Sequence, residues 1–251
     1  MGGLFAKRNG PWREWSTWPM TATDRGRNVG GVTASGWGGL SGREGAAMFI
    51  QIIQGRCKDA DRMHQMSDEW REKLGPGAEG WLGGTYGITD DNLFVAVVRF
   101  ESREAAAKNS ARPEQGEWWR RMSECFDGEA TFHDCDNAMM FLDGGSDEAG
   151  FVQILQGRVT DPERFREVMT QPMDALHEAR PEIIGGTIAM EPDGWFTQTV
   201  AFRSEAEARE GEAKEMPEDM RKIMEEEMSV MKDVTYLDLH HPWFSSRAAM
   251  A

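Results

Sequence analysis

Two glutamines carry the first chemical hint. Gln51 and Gln153 stand 102 residues apart, each third in a matching segment, Phe49-Ile50-Gln51-Ile52-Ile53-Gln54-Gly55-Arg56 and Phe151-Val152-Gln153-Ile154-Leu155-Gln156-Gly157-Arg158, with six of eight residues identical. On a strand, alternation puts Gln51 on the face of Phe49 and Ile53, and Gln153 on that of Phe151 and Leu155. An amide among apolar side chains either lines a pocket and orients a polar ligand or is satisfied by a neighbouring group. Trp70 and Trp118 fall on apolar helical stripes, where an indole packs the core or walls a cavity. His133-Asp134-Cys135-Asp136 resembles a metal set in composition only. Alternation turns His133 and Cys135 away from both aspartates, and the second copy has Leu237 and Leu239 there, so no metal is expected. His240 and His241 are adjacent on a strand end and point apart. Arg56 and Arg158 read as surface ion-pair residues.

Composition bounds the rest. The 251 residues are 39% hydrophobic and 28% charged, ordinary for a globular chain. A net charge of -15 disfavours nucleic-acid binding, since every phosphate contact works against that field. No apolar run reaches the ~20 residues needed to span a bilayer, and no secretion signal opens the chain, so a cytoplasmic location is expected. Cys57, Cys125 and Cys135 are odd in number and form no CxxC pair, so reduced, structural thiols are expected. Residues 1–47 carry eleven glycines, four tryptophans and a net charge of +3, without helical or strand periodicity. They read as a disordered extension, or as upstream sequence if translation begins at Met48; Gly42-Arg43-Glu44-Gly45 has codons compatible with a purine-rich ribosome-binding site.

The 102-residue repeat extends well beyond the glutamines. Asp59 matches Asp161, Gly83-Gly84-Thr85 matches Gly185-Gly186-Thr187, and Phe94, Phe100 and Met122 match Phe196, Phe202 and Met224; after a two-residue adjustment, Thr131 and Asp134 match Thr235 and Asp238. Each copy reads βαββαβ. The first helix carries Met63, Met66, Trp70 and Leu74 on one face, with Phe165, Val168 and Leu176 in the second copy, where Pro172 predicts a kink or an early stop. Strands over 81–88 and 93–100, and over 183–190 and 195–202, form hairpins, and last strands run over 130–136 and 234–240. In the second copy Met216, Met220, Met224, Met228 and Met231 predict one buried stripe of the second helix; Trp118, Met122 and Phe126 are its counterpart, with Trp119 pointing elsewhere. The divisions are 1–47, a first module 48–142, an acidic linker 143–150, a second module 151–244 and a tail 245–251.

A four-stranded sheet with both helices on one face needs a cover for the other, and the second copy supplies it. The expected fold is α+β, two ferredoxin-like modules packed sheet to sheet as an intramolecular barrel, monomeric or weakly homo-oligomeric. The duplicated FxQIxQGR strand, the Asp59–Arg62 and Asp161–Arg164 helix starts, the GGT strands and the F-x5-F strands resemble the dimeric α+β barrel superfamily, and within it the antibiotic biosynthesis monooxygenase-like proteins. The resemblance covers about 48–244. It implies a cavity between sheet and helices in each module, taking a small aromatic or apolar molecule, with cofactor-independent oxidation of a quinol-type substrate as the leading activity. A non-catalytic ligand-binding or scaffold barrel is the alternative. A haem-degrading relative would need an Asn on the first strand, where this chain has Gln51 and Gln54. The ligand-binding candidates are Gln51, Trp70, Trp118, His133 and Gln153, with neither cofactor nor metal; the first copy, richer in histidine and tryptophan, is expected to hold the open cavity.

Overall fold

The structure, a computed structural model, describes residues 48–144, 146–169 and 174–246. In module one, β1 (Phe49–Arg56), β2 (Trp81–Ile88), β3 (Leu93–Phe100) and β4 (Thr131–Cys135) alternate with α1 (Ala60–Glu69), α2 (Arg103–Ser110) and α3 (Pro113–Ser123). After β5 (Asn137–Phe141), module two repeats the order with β6 (Phe151–Val159), α4 (Pro162–Met169), α5 (Asp174–Ala179), β7 (Ile183–Met190), β8 (Trp195–Phe202), α6 (Glu205–Glu212), α7 (Glu218–Ser229) and β9 (Met231–Leu239), and β10 (Trp243–Ser246) follows. Both hairpins have the expected bounds.

The duplicated polar residues set the helix ends. Asp59 and Asp161 each accept a hydrogen bond at 3.0 Å from the backbone N–H three residues on, and Ser102 and Ser204 do the same for α2 and α6. Arg62 pairs with Glu124 at 2.8 Å and Arg164 with Glu226, so the same pair ties the first helix to the last in both modules. Arg56 and Arg158 pair with Asp91 and Asp193 on the hairpin turns, as surface ion pairs.

Two five-stranded antiparallel sheets result, ordered β10-β2-β3-β1-β4 and β5-β7-β8-β6-β9. Their inner faces form one core that includes Ile50, Ile52, Val95, Val97 and Cys135 from one sheet and Val152, Ile154, Ala189, Ala201 and Leu239 from the other. Within this apolar layer Gln54 Nε2 donates to Gln156 Oε1 at 3.0 Å, a bond between symmetry-equivalent residues of the repeat. The outer faces carry the helices, with Phe49 and Phe94 of the sheet in one cluster with Met63, Trp70 and Trp118 of the helical segments in one module, and Phe151, Phe196 and Phe202 with Phe165 in the other.

The fifth strands are exchanged. β5 leaves module one and pairs with β7 of module two, while β10 leaves module two and pairs with β2 of module one, matching Met139 opposite Ile188 with Trp243 opposite Tyr86. The repeat therefore contains a strand that the βαββαβ reading omits. That reading also merged α2 with α3, and α6 with α7. Two further expectations need correction: Met231 opens β9 and Met216 precedes α7, so only Met220, Met224 and Met228 form the helical stripe. The kink expected at Pro172, like the extension 1–47, lies outside the described residues.

Exchange explains the GGT motif. A register shift at Gly83 and Gly185, with φ of 150° and 130°, bulges β2 and β7, and the next glycine leaves room for a ring. A Cβ at Gly186 would overlap the Thr199 carbonyl oxygen and lie 2.5 Å from the ring of Phe141, which β5 brings in; at Gly84 it would meet the Tyr86 phenol. Replacing Gly186 with Ala should cost about 2–4 kcal/mol in denaturant unfolding, because neighbouring backbone cannot yield. Gly84→Ala should cost distinctly less, because the tip of a side chain can move.

Candidate active site

Each module encloses a cavity between sheet and helices. That of module one is about 80 Å³ and walled by aromatic rings, Trp70, Trp118, Trp119, Tyr86, Phe94 and Phe100. That of module two is about 130 Å³ and is bounded by β5 to β9, α4, α5 and α7. An apolar cavity of ~150 Å³ is enough for a benzene ring. Module two is therefore close to single-ring size and module one well below it, which reverses the expectation that the first copy holds the open cavity.

Four of the five candidate residues line these cavities. Gln51 lines the smaller one, its Nε2 donating to Asp134 at 2.8 Å; Gln153 lines the larger, donating to Asp238 at 3.2 Å. Arg103 and Arg209 fasten those aspartates at 3.2 and 2.8 Å, and each guanidinium lies over a phenyl ring, Phe49 or Phe151. Trp70 and Trp118 also line the smaller cavity, and both indole N–H groups are engaged, to Gln115 Oε1 at 2.6 Å and the Met66 carbonyl at 2.8 Å. Trp119, expected to point away, lines it too. Burial pushes the Tyr86 phenol up to about 12, so it stays protonated. His133 lies elsewhere: it stacks on Trp195 at 3.6 Å and bonds Glu191 at 2.9 Å, joining the two modules. His240 bonds Glu205 at 2.8 Å rather than ending a strand in solvent. Among the described residues no group of three or more His, Cys, Asp or Glu side chains is placed to hold a metal ion.

The polar groups of the larger cavity were not anticipated. Arg180, Gln198, Glu227 and Tyr236 line it with Gln153. Glu227 is half-buried on α7 among methionines, and burial pushes its carboxyl up to about 7. Arg180 is 4% exposed and ion-paired with buried Glu182. Gln198 leaves its Oε1 buried without a partner. The signal was present in the repeat. The matching positions in module one are Ala78 for Arg180, Ala96 for Gln198, Cys125 for Glu227 and Phe132 for Tyr236, so four polar groups of one cavity have apolar or weakly polar counterparts in the other. Shared residues such as the glutamines mark the common fold, whereas the unshared ones distinguish the two cavities.

No family model and no curated protein matches the chain, but solved structures do. A "putative monooxygenase" from Lactobacillus acidophilus superposes with a TM-score of 0.63 at 12% identity, over 80% of this chain and 97% of that one. The tandem α+β barrel is the shared fold. A second "putative monooxygenase", from Fusobacterium nucleatum, gives 0.60 at 9% identity over 80% and 95% of the two chains, and an anthrone oxidase-like protein gives 0.54 at 11% over 79% and 94%. Matches of that span include both modules and their packing, and at these identities the likeness is one of fold. No helix among the described residues is long and apolar enough to cross a membrane.

The raised Glu227 carboxyl has a thermodynamic consequence. An acid whose folded-state value lies above its ordinary 4.5 holds its proton more tightly when folded, so stability is highest below that value and falls as pH rises toward about 7. Glu227→Gln should remove that loss, making the variant more stable than the parent by about 2 kcal/mol at pH 8 and no more stable at pH 4, read from urea unfolding at both.

Proposed function

We propose that the module-two cavity is the active site of a cofactor-independent monooxygenase acting on a small, single-ring phenol or quinol. The observation that carries this reading is Glu227, a carboxyl group lining an apolar cavity and titrating near neutral pH, where a general base works best. The names of the structural neighbours, monooxygenase and anthrone oxidase-like, point the same way.

Such a cavity needs few parts. Carboxylate Glu227 takes the phenolic proton, and the phenolate gives one electron to dioxygen. The radical pair combines at a ring carbon as a peroxide, which takes the proton back from Glu227. Loss of water across the C–H and O–O bonds leaves a ring carbonyl, so phenol and dioxygen become quinone and water. One oxygen atom of dioxygen becomes the new ring carbonyl and the other becomes water, the phenol keeping its own oxygen, and dioxygen accepts four electrons. Arg180, Gln198 and Tyr236 line the space in which negative charge develops, and the apolar walls exclude bulk water that would weaken their effect. The site requires no nucleic acid or membrane, and the intramolecular barrel suits a monomer.

Oxygen consumption measured with a panel of single-ring quinols and phenols tests the reading. Uptake should rise with pH through about 7 as Glu227 ionises, and Glu227→Gln should lower it by about a hundredfold or more. Gln51→Ala, in the smaller cavity, should leave the rate within about threefold, since no reacting group stands there. Binding of the phenols without oxygen uptake would instead identify a ligand-binding barrel.

A further inference from the structure

Five methionines, Met169, Met216, Met220, Met224 and Met228, wall the module-two cavity. Module one has Ser67, Glu114, Trp118, Met122 and Phe126 at the matching positions, so thioethers are not required by the fold. Leucine would fill the same volume with better-defined rotamers. What sulfur adds is flexibility and reactivity toward two-electron oxidants. Met224 and Met228 sit three residues before and one after Glu227 on α7, which puts Met224 on the same helical face and Met228 beside it, and all three line the cavity. Met224 and Met228 are half-buried, in contrast to Met63, which is fully buried, and to Met140, which is 49% exposed on β5.

We propose that Met224 and Met228 are sulfoxidation sites, and that oxygen added to either sulfur accepts a hydrogen bond from the Glu227 carboxyl in the cavity they share and disables it as a base. In the reaction the thioether sulfur attacks one oxygen of hydrogen peroxide; an S–O bond forms, the O–O bond breaks, and the other oxygen leaves as water after taking the proton from the attached one. Sulfur is oxidised and peroxide reduced, each by two electrons. The origin of the peroxide rests on the proposed oxygenation, in which a quinol that yields two electrons to dioxygen without forming a C–O bond gives quinone and peroxide. The reactivity of the sulfurs does not rest on it. A sulfoxide oxygen is a strong acceptor, and a turn or less from Glu227 it takes a hydrogen bond from the protonated carboxyl, holding the acid form and removing the base.

The test adds hydrogen peroxide in graded amounts to the full chain, follows each methionine by peptide mass spectrometry, and titrates Glu227 by carbon-13 NMR of carboxyl-labelled glutamate. Met224 and Met228 should gain oxygen well before Met63, and the Glu227 midpoint should move up by about one unit, roughly a tenfold smaller ionised fraction. A Met224→Leu/Met228→Leu variant should keep its midpoint after the same treatment while Met140 is oxidised in both proteins. Methionine sulfoxide reductase should return the midpoint of the parent. The proposal is overturned if Met224 and Met228 stay unmodified when Met140 is fully converted, or if their conversion leaves the midpoint in place. Because the peroxide is added, a failure of the oxygenation reading shows separately, as absent oxygen uptake by the untreated protein.

Discussion

A sheet with helices on one side only must hide its other face, and in this chain that single demand sets most of the architecture. Ile50, Ile52, Val95 and Val97 have no helix over them; they meet Val152, Ile154, Ala189 and Leu239 of the second sheet. Each fully buried aliphatic side chain of this kind contributes about 1.5–3 kcal/mol relative to exposure, so neither sheet is stable with that face in water. Apolar contact does not fix alignment, because one aliphatic patch slides over another at little cost. The Gln54–Gln156 bond does, since a shift would leave Gln54 Nε2 and Gln156 Oε1 without that partner in an apolar layer, while Gln156 Nε2 stays bonded to Thr197.

The exchanged strands follow from the same packing. Once the sheets lie face to face, the edge beyond β7 is within reach of the chain leaving β4, and the edge beyond β2 is within reach of the chain leaving β9. Only Asp136 separates β4 from β5. Each crossing delivers an aromatic residue to the other module's core: Phe141 over Gly186, and Trp243 against Tyr86 and Phe94. The two modules thus complete each other's cores, and a change in either sheet is felt in both.

The alternation of strands and helices, both hairpins, the helix starts at Asp59 and Asp161 and the sheet-to-sheet packing were all legible, because each depends on periodicity or on a residue repeated at one spacing. The exchanged strands were not. Ala138 to Phe141 is too short to show a period, and so is Trp243-Phe244, which closes the second module in that reading without a strand of its own, although Met139 and Trp243 obey the same offset as Asp134 and Asp238. Gln51, Gln153, Trp70 and Trp118 were traceable to cavity walls through strand alternation and helical stripes. His133 was misjudged because a strand face cannot reveal that a second module stands opposite it. Glu227 was missed because a glutamate within Glu225-Glu226-Glu227 looks like any solvated helix face, and what separates it from its neighbours is that it alone of the three lines the cavity.

Duplication within one chain also resolves a conflict that a symmetric dimer cannot escape. A carboxyl in an apolar cavity and a buried amide oxygen without a partner both destabilise the fold that holds them. In a homodimer every such group appears twice, once in each cavity. Here module one keeps Trp70 edge-on to Trp81 and Trp118, with the Trp70 and Trp118 N–H groups bonded, less empty space than module two, and the Trp81 N–H as an unpaired polar atom in its core. Module two carries Arg180, Gln198 and Glu227 at positions where module one has Ala78, Ala96 and Cys125. Because the sheets share one inner core and exchange their edge strands, the well-packed module supports the one that holds the costly groups. The asymmetry that locates the candidate site is therefore the condition under which such a site can persist.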